Sequence, residues 1–138
     1  MSPITFALEW RFPSGMAQAL AVHGARFEAP FWADFRIQGD TRSITLPDGT
    51  VITETLGGAD AMGYRYTASG VDGISGYQGS FQVVDDGSAT TLTWTTSFQA
   101  RDSDAAARMV TINAGGGQAM LAELTAYFAP KPATPSRN

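Results

Sequence analysis

Between Phe35 and Phe98 the sequence divides into six short runs, each separated from the next by so few residues that neighbours can pair only as antiparallel strands. The runs are Phe35 to Gln38, Arg42 to Leu46, Thr50 to Leu56, Tyr64 to Ala68, Tyr77 to Val84 and Thr90 to Phe98. Pro47-Asp48-Gly49 and Asp85-Asp86-Gly87-Ser88 carry the residues that tight turns favour. A parallel crossover needs a dozen or more connecting residues, so the middle of the chain reads as an antiparallel meander.

The flanks complete the pattern. Ile4, Phe6, Leu8, Trp10 and Phe12 share one parity, while Thr5, Ala7, Glu9 and Arg11 take the other, which predicts a seventh strand with one wet face. Pro13-Ser14-Gly15 ends it, and Ser14 is a candidate cap for a short helix from Met16 to Val22, closed by His23-Gly24. Residues 25–33 give no single reading, because Pro30 interrupts them and Phe31-Trp32 place two large aromatics beside the break. After Asp102-Ser103-Asp104 the period changes. Met109, Ile112, Gly116, Met120 and Leu124 recur at steps of three and four, predicting a long helix that ends near Phe128. Residues 129–138 hold three prolines without apolar periodicity and read as a flexible tail. A chain of 138 residues encloses one core, so residues 1–128 are expected to form a single domain.

Composition removes much of the enzyme repertoire. The absence of cysteine excludes disulfides, thiolate catalysis and sulfur-ligated metals. The only lysine is Lys131, in the tail, so a core lysine forming Schiff bases is excluded. Gly73-Ile74-Ser75-Gly76-Tyr77 misses the last glycine of a nucleophile elbow, and the only histidine is His23. Neither Asp34, Asp40 nor Asp102-Ser103-Asp104 makes a metal-binding spacing, so no metal is expected. Thirteen acids against nine bases give a net charge of -4, which disfavours nucleic acid as a partner. No signal-peptide pattern and no membrane-length apolar run is visible, so a soluble, cytoplasmic protein without stable membrane insertion is expected.

A meander with one apolar side and a helix with one apolar stripe bury each other most economically when the sheet curves around the helix. In this order the sequence resembles the START-like or SRPBCC superfamily, the helix-grip fold of polyketide cyclases, lipid-transfer domains and pollen-allergen-like proteins. The resemblance rests on the opening strand into Ser14-Gly15-Met16-Ala17-Gln18-Ala19-Leu20, Arg42 before Pro47-Asp48-Gly49, and Ile52-Thr53-Glu54-Thr55-Leu56. It continues through Tyr64-Arg65-Tyr66, Thr91-Leu92-Thr93-Trp94-Thr95 and the terminal helix, over residues 3–128. The Glu-x-Leu segment, the aromatic strand and the Thr-x-Trp strand look like the polyketide cyclase/dehydrase branch. The expected fold class is therefore α+β: a curved, seven-stranded antiparallel sheet wrapped around a long C-terminal helix, with a short helical segment after the first strand.

Strand parity nominates the site. Glu54 shares a face with Ile52 and Leu56 and should point inward, as a proton-transfer group or ligand anchor, or tied internally to a tyrosine or arginine. Tyr64 with Tyr66, Tyr77 with Phe81, and Trp94 with Leu92 and Phe98 make either an aromatic cavity wall or an ordinary aromatic core. Asn113-Ala114-Gly115-Gly116-Gly117 inside the helix requires a reason: room for a ligand, a break at Asn113, or close packing on the sheet. The candidate ligand-binding set is Trp10, Trp32, Glu54, Tyr64, Tyr66, Tyr77, Phe81, Trp94, Met109, Ile112, Gly116 and Met120, with Glu54 the candidate catalytic group. His23 reads as a helix-end partner for free carbonyls, and Arg36, Arg42 and Arg65 as residues of the wet face, Arg42 with the option of turning toward an entrance.

The reading expects a domain that binds a small hydrophobic molecule, lipid-like, aromatic or polyketide-like, without a cofactor. The resemblance implies two alternatives. One is a cyclase/dehydrase-like enzyme that uses Glu54 as proton relay and Tyr64, Tyr66 or His23 to polarise a carbonyl. The other is a non-catalytic stress-regulator or interaction module. The oligomeric state is not encoded in any pattern found.

Overall fold

A computed structural model of the chain describes residues 3–23 and 35–128. Its elements follow the order β1 (Ile4–Pro13), α1 (Ala17–His23), β2 (Phe35–Gln38), β3 (Thr41–Thr45), β4 (Val51–Asp60), β5 (Gly63–Ser69), β6 (Ile74–Asp85), β7 (Ala89–Ala100) and α2 (Ser103–Phe128). The seven strands form one antiparallel sheet in the order β1-β7-β6-β5-β4-β3-β2. Every neighbour but one is a hairpin partner. The exception is β1, which joins β7 along its whole length, from Ile4 opposite Phe98 to Pro13 opposite Ala89.

The residues that alternate in sequence alternate in burial. In β7, Leu92, Trp94, Thr96 and Phe98 point inward, and in β6 so do Tyr77, Phe81 and Val83. The helix lays Met109, Met120 and Leu124 against this face, so sheet and helix bury each other's apolar side. The strands are longer than their turn signals suggest. Residues 57–60, read as a connection, continue β4 beyond a bulge between Leu56 and Gly58, and β6 begins at Ile74 before a second irregularity between Ser75 and Gln78. Bulges let a strand bend while keeping its partner, which is how a long sheet curves over a helix.

Three local expectations are corrected. Ser14 does not cap α1: its hydroxyl bonds the Asp85 carboxylate, which also accepts the Gly15 N–H, clasping the start of the helix to the β6–β7 turn. Asn113 does not break the last helix, which is continuous through its three glycines. Arg42 is not on the wet face, because it shares parity with Ile44 and Leu46 and is 1% exposed. Residues 24–34, with Trp32, the side chain of His23 and residues 129–138 lie outside the described residues.

A cleft between the sheet and the last helix

The β3–β4 hairpin sets the first part of the site. Asp48 accepts the Thr50 N–H, and Gly49 turns with φ +89°, a backbone geometry costly for any residue with a side chain. The register this fixes places Arg42 directly opposite Glu54, both on the inward face. Arg42 Nε donates to Glu54 Oε1, and its Nη2 donates to the Tyr64 hydroxyl at 3.0 Å. The guanidinium also faces the rings of Phe35, Tyr64 and Tyr66 at 5.9, 5.4 and 5.5 Å. Burial pushes the Glu54 carboxyl above its ordinary range, and the adjacent Arg42 offsets only part of that rise. Burial works against the charge of Arg42 too, but Tyr64 and Glu54 outweigh it and hold the guanidinium protonated.

A second polar set crosses from sheet to helix. Trp94 Nε1 donates to the Tyr66 hydroxyl at 2.9 Å, and the Tyr66 and Tyr77 rings lie 6.1 Å apart. Tyr77 donates to Asn113 Oδ1 at 2.9 Å, and Asn113 Nδ2 donates to Thr96 Oγ1 at 3.0 Å. Asn113, 2% exposed, thus satisfies its amide on two strands at once. Burial raises the phenols of Tyr64, Tyr66 and Tyr77, so all three stay neutral at physiological pH. Behind them the rings pack closely, Phe81 stacked on Trp94 at 5.3 Å and 5°, and Tyr64 tilted against Phe81 at 5.3 Å and 34°.

Between these sets and α2 lies an apolar cleft of about 490 Å³ counted out to its mouth, of which about 30 Å³ is open to the centre of a water molecule. Ile44, Ile52, Ala68, Val71, Ile74, Met109 and Ile112 supply its apolar lining, and Glu54, Tyr66, Ser69, Tyr77, Trp94 and Asn113 its polar groups. Glu54, Tyr66, Tyr77, Trp94, Met109 and Ile112, nominated by the sequence, therefore meet here. Tyr64 and Phe81 sit behind the lining in the aromatic stack. Trp10, Gly116 and Met120 do not line the cleft. The glycine run has a different use: a Cβ on Gly117 would strike Leu8 Cδ1, so the bare backbone lets α2 approach β1 and β7. Among the described residues no group of three histidine, cysteine or carboxylate side chains is placed to hold a metal ion. No described helix is long and apolar enough to cross a membrane.

Sequence reasoning missed Arg42 and Asn113. Both signals were present: Arg42 lies one turn-centred step from Glu54 on the inward parity, and Asn113 follows Met109 by four on the buried stripe.

A seven-stranded antiparallel sheet, not closed into a barrel among the described residues and gripping a long C-terminal helix, is the helix-grip fold of the START-like and SRPBCC proteins. Solved structures similar to this chain include XoxI from Bacillus cereus, with TM-score 0.70, 20% identity and 92% of this chain matched to 99% of that one. Norcoclaurine synthase from Thalictrum flavum, in complex with dopamine and hydroxybenzaldehyde, matches with TM-score 0.59 and 14% identity over 94% of this chain and 90% of its own. The di-domain aromatase/cyclase StfQ of the steffimycin biosynthetic pathway matches with TM-score 0.68 and 12% identity, covering 91% of this chain but 51% of that one. These likenesses are of fold. By sequence, no protein-family model and no curated protein matches the chain.

Proposed function

We propose that this domain binds a small apolar or aromatic molecule in the cleft between the sheet and α2. The observation that carries the reading is the composition of that cleft, an aliphatic lining with convergent polar groups from the strands and, at Asn113, from α2. Fold neighbours described as an aromatase/cyclase and as a synthase holding two aromatic molecules support it. The cleft is nearly filled by its own side chains, with room for the centres of about two waters by the usual measure of roughly 10–15 Å³ each. A ligand enters by moving side chains, and Met109, unbranched and flexible, is the member of the lining best suited to yield.

Titrating the protein with a hydrophobic dye and displacing it with flavonoids, polyketides and fatty alcohols tests the reading. Saturable one-to-one binding is expected, and its absence across the whole panel sinks the idea.

An enzymatic variant is favoured by one observation: Glu54 lines the cleft with a carboxyl raised by burial, the property of a proton relay. In that reading the Glu54→Gln variant keeps ligand and loses turnover of a cyclisable polyketide substrate. A carrier shows no turnover with either protein.

A further inference from the structure

We infer that the cleft is built for an uncharged hydrogen-bond donor, a phenol or alcohol, and discriminates against carboxylates and ammonium ions of the same skeleton. The inference rests on the cleft being the binding site. It follows from counting what its polar wall still offers.

The charges are already matched. Among the described residues, Glu54 is the only carboxylate on the lining, and no arginine or lysine lines it. The cation that answers Glu54 is Arg42, which stands outside the lining, bonded to Glu54 and Tyr64 and pressed against three aromatic rings. Arg108, the neighbour of Met109, is likewise held by Asp48 at 2.9 Å and Thr50 at 2.8 Å. A ligand carboxylate would meet the Glu54 carboxylate without a cation of its own. A ligand ammonium would add a second positive charge beside a carboxylate that Arg42 already neutralises. Either leaves a charge uncompensated in a site of low dielectric, where such charges are most costly.

Three of the donors are also spent. The Trp94 N–H goes to Tyr66, the Tyr77 O–H to Asn113 and an Asn113 amide N–H to Thr96. What Glu54 adds is acceptor capacity beyond its bond to Arg42, since a carboxylate has about four lone-pair sites. A ligand hydroxyl satisfies that capacity. A bare hydrocarbon leaves it unanswered.

The test follows NMR signals of Met109 and Ile112 in the unmodified protein at neutral pH during titration with four probes of one skeleton. These are para-cresol, para-toluate, para-methylbenzylamine and toluene. Para-cresol is expected to bind at least tenfold more tightly than either ion and several-fold more tightly than toluene. Para-toluate or the amine binding as well as para-cresol overturns the charge argument while leaving the cleft as a binding site. Toluene binding as well as para-cresol overturns the donor argument. If none of the four moves these signals, the binding reading fails together with the inference. Glu54→Gln supplies a second arm: with Arg42 released, preference should move at least tenfold toward para-toluate, and unchanged selectivity contradicts the charge argument. Where that variant does not fold by circular dichroism, the titrations of the unmodified protein decide.

Discussion

The inner face of the sheet carries two polar clusters of opposite construction. Around β3, β4 and β5, Arg42, Glu54 and Tyr64 form a buried ionic set confined to the sheet. Around β5, β6 and β7, the Trp94, Tyr66, Tyr77, Asn113 and Thr96 set is neutral and reaches onto α2. The first holds charge in place with nothing to move but side chains. The second ties the helix to the sheet, so it sets how far the cleft opens. The difference separates two tasks, balancing the charge of the site and holding its geometry, and each can be broken without the other.

The largest effect belongs to the ionic set. Replacing Glu54 alone by Gln or Ala strands the Arg42 charge, and removing one partner of a buried pair costs about 3–5 kcal/mol. The double replacement Arg42→Met with Glu54→Leu should recover most of that loss, since apolar substitutes of similar volume often match a buried pair. Chemical denaturation of the three variants measures the contrast. A double variant as unstable as the single one would show that the pair does more than cancel charge.

In the neutral set, Tyr77→Phe leaves Asn113 Oδ1 without its donor, and a buried unsatisfied acceptor costs about 1–3 kcal/mol. The same change loosens the tie between β6 and α2, so faster hydrogen exchange around Asn113 should accompany it. Glu54 variants should leave that exchange pattern largely in place once the global loss is subtracted.

The glycines sharpen the same division between tight and open ground. Gly117→Ala drives a methyl into Leu8, and overpacking of this kind costs about 1–3 kcal/mol. Gly115→Ala meets nothing within 4 Å and should stabilise the helix by up to about 1 kcal/mol. Thermal unfolding of both variants checks the opposite signs.

The smallest effect is electrostatic and on the surface. Backbone N–H groups hold the Asp86 carboxyl down to about 2, and Asp48, Asp85 and Asp102 are lowered for similar reasons. Their folded pKa lies below the unfolded one, so their contribution is complete above the unfolded carboxylate range and is lost as pH falls through the folded values. Stability should therefore decline below about pH 4, and Asp86→Asn should flatten that decline. Glu54 has the opposite sign. Its raised carboxyl favours the folded state below the unfolded pKa of 4.5, and that contribution is lost as pH rises through the folded value.

Much of this was legible in the sequence, because period-two alternation and tight turns leave few ways to pair strands. The alternation around Glu54 placed it inward, and the stripe through Met109, Met120 and Leu124 oriented α2. The partners were harder to read. Arg42 shares the inward parity of Ile44 and Leu46, but its partner appears only when the hairpin register sets Glu54 opposite it. Asn113 lacked meaning without the knowledge that Tyr77 and Thr96, on different strands, converge on one turn of the helix. The glycine run left ligand room, a break and close packing open, and only the position of β1 shows that Leu8 fills the space at Gly117. Pair and network partners are properties of three-dimensional register, which local patterns do not carry.

The most direct test of the account is the location of a bound probe. In a crystal soaked with para-cresol, the ring should lie between Ile52 and Met109 with its hydroxyl on the Glu54, Tyr66 and Tyr77 wall. A filled interior with para-cresol confined to the outer face of the sheet would contradict the account.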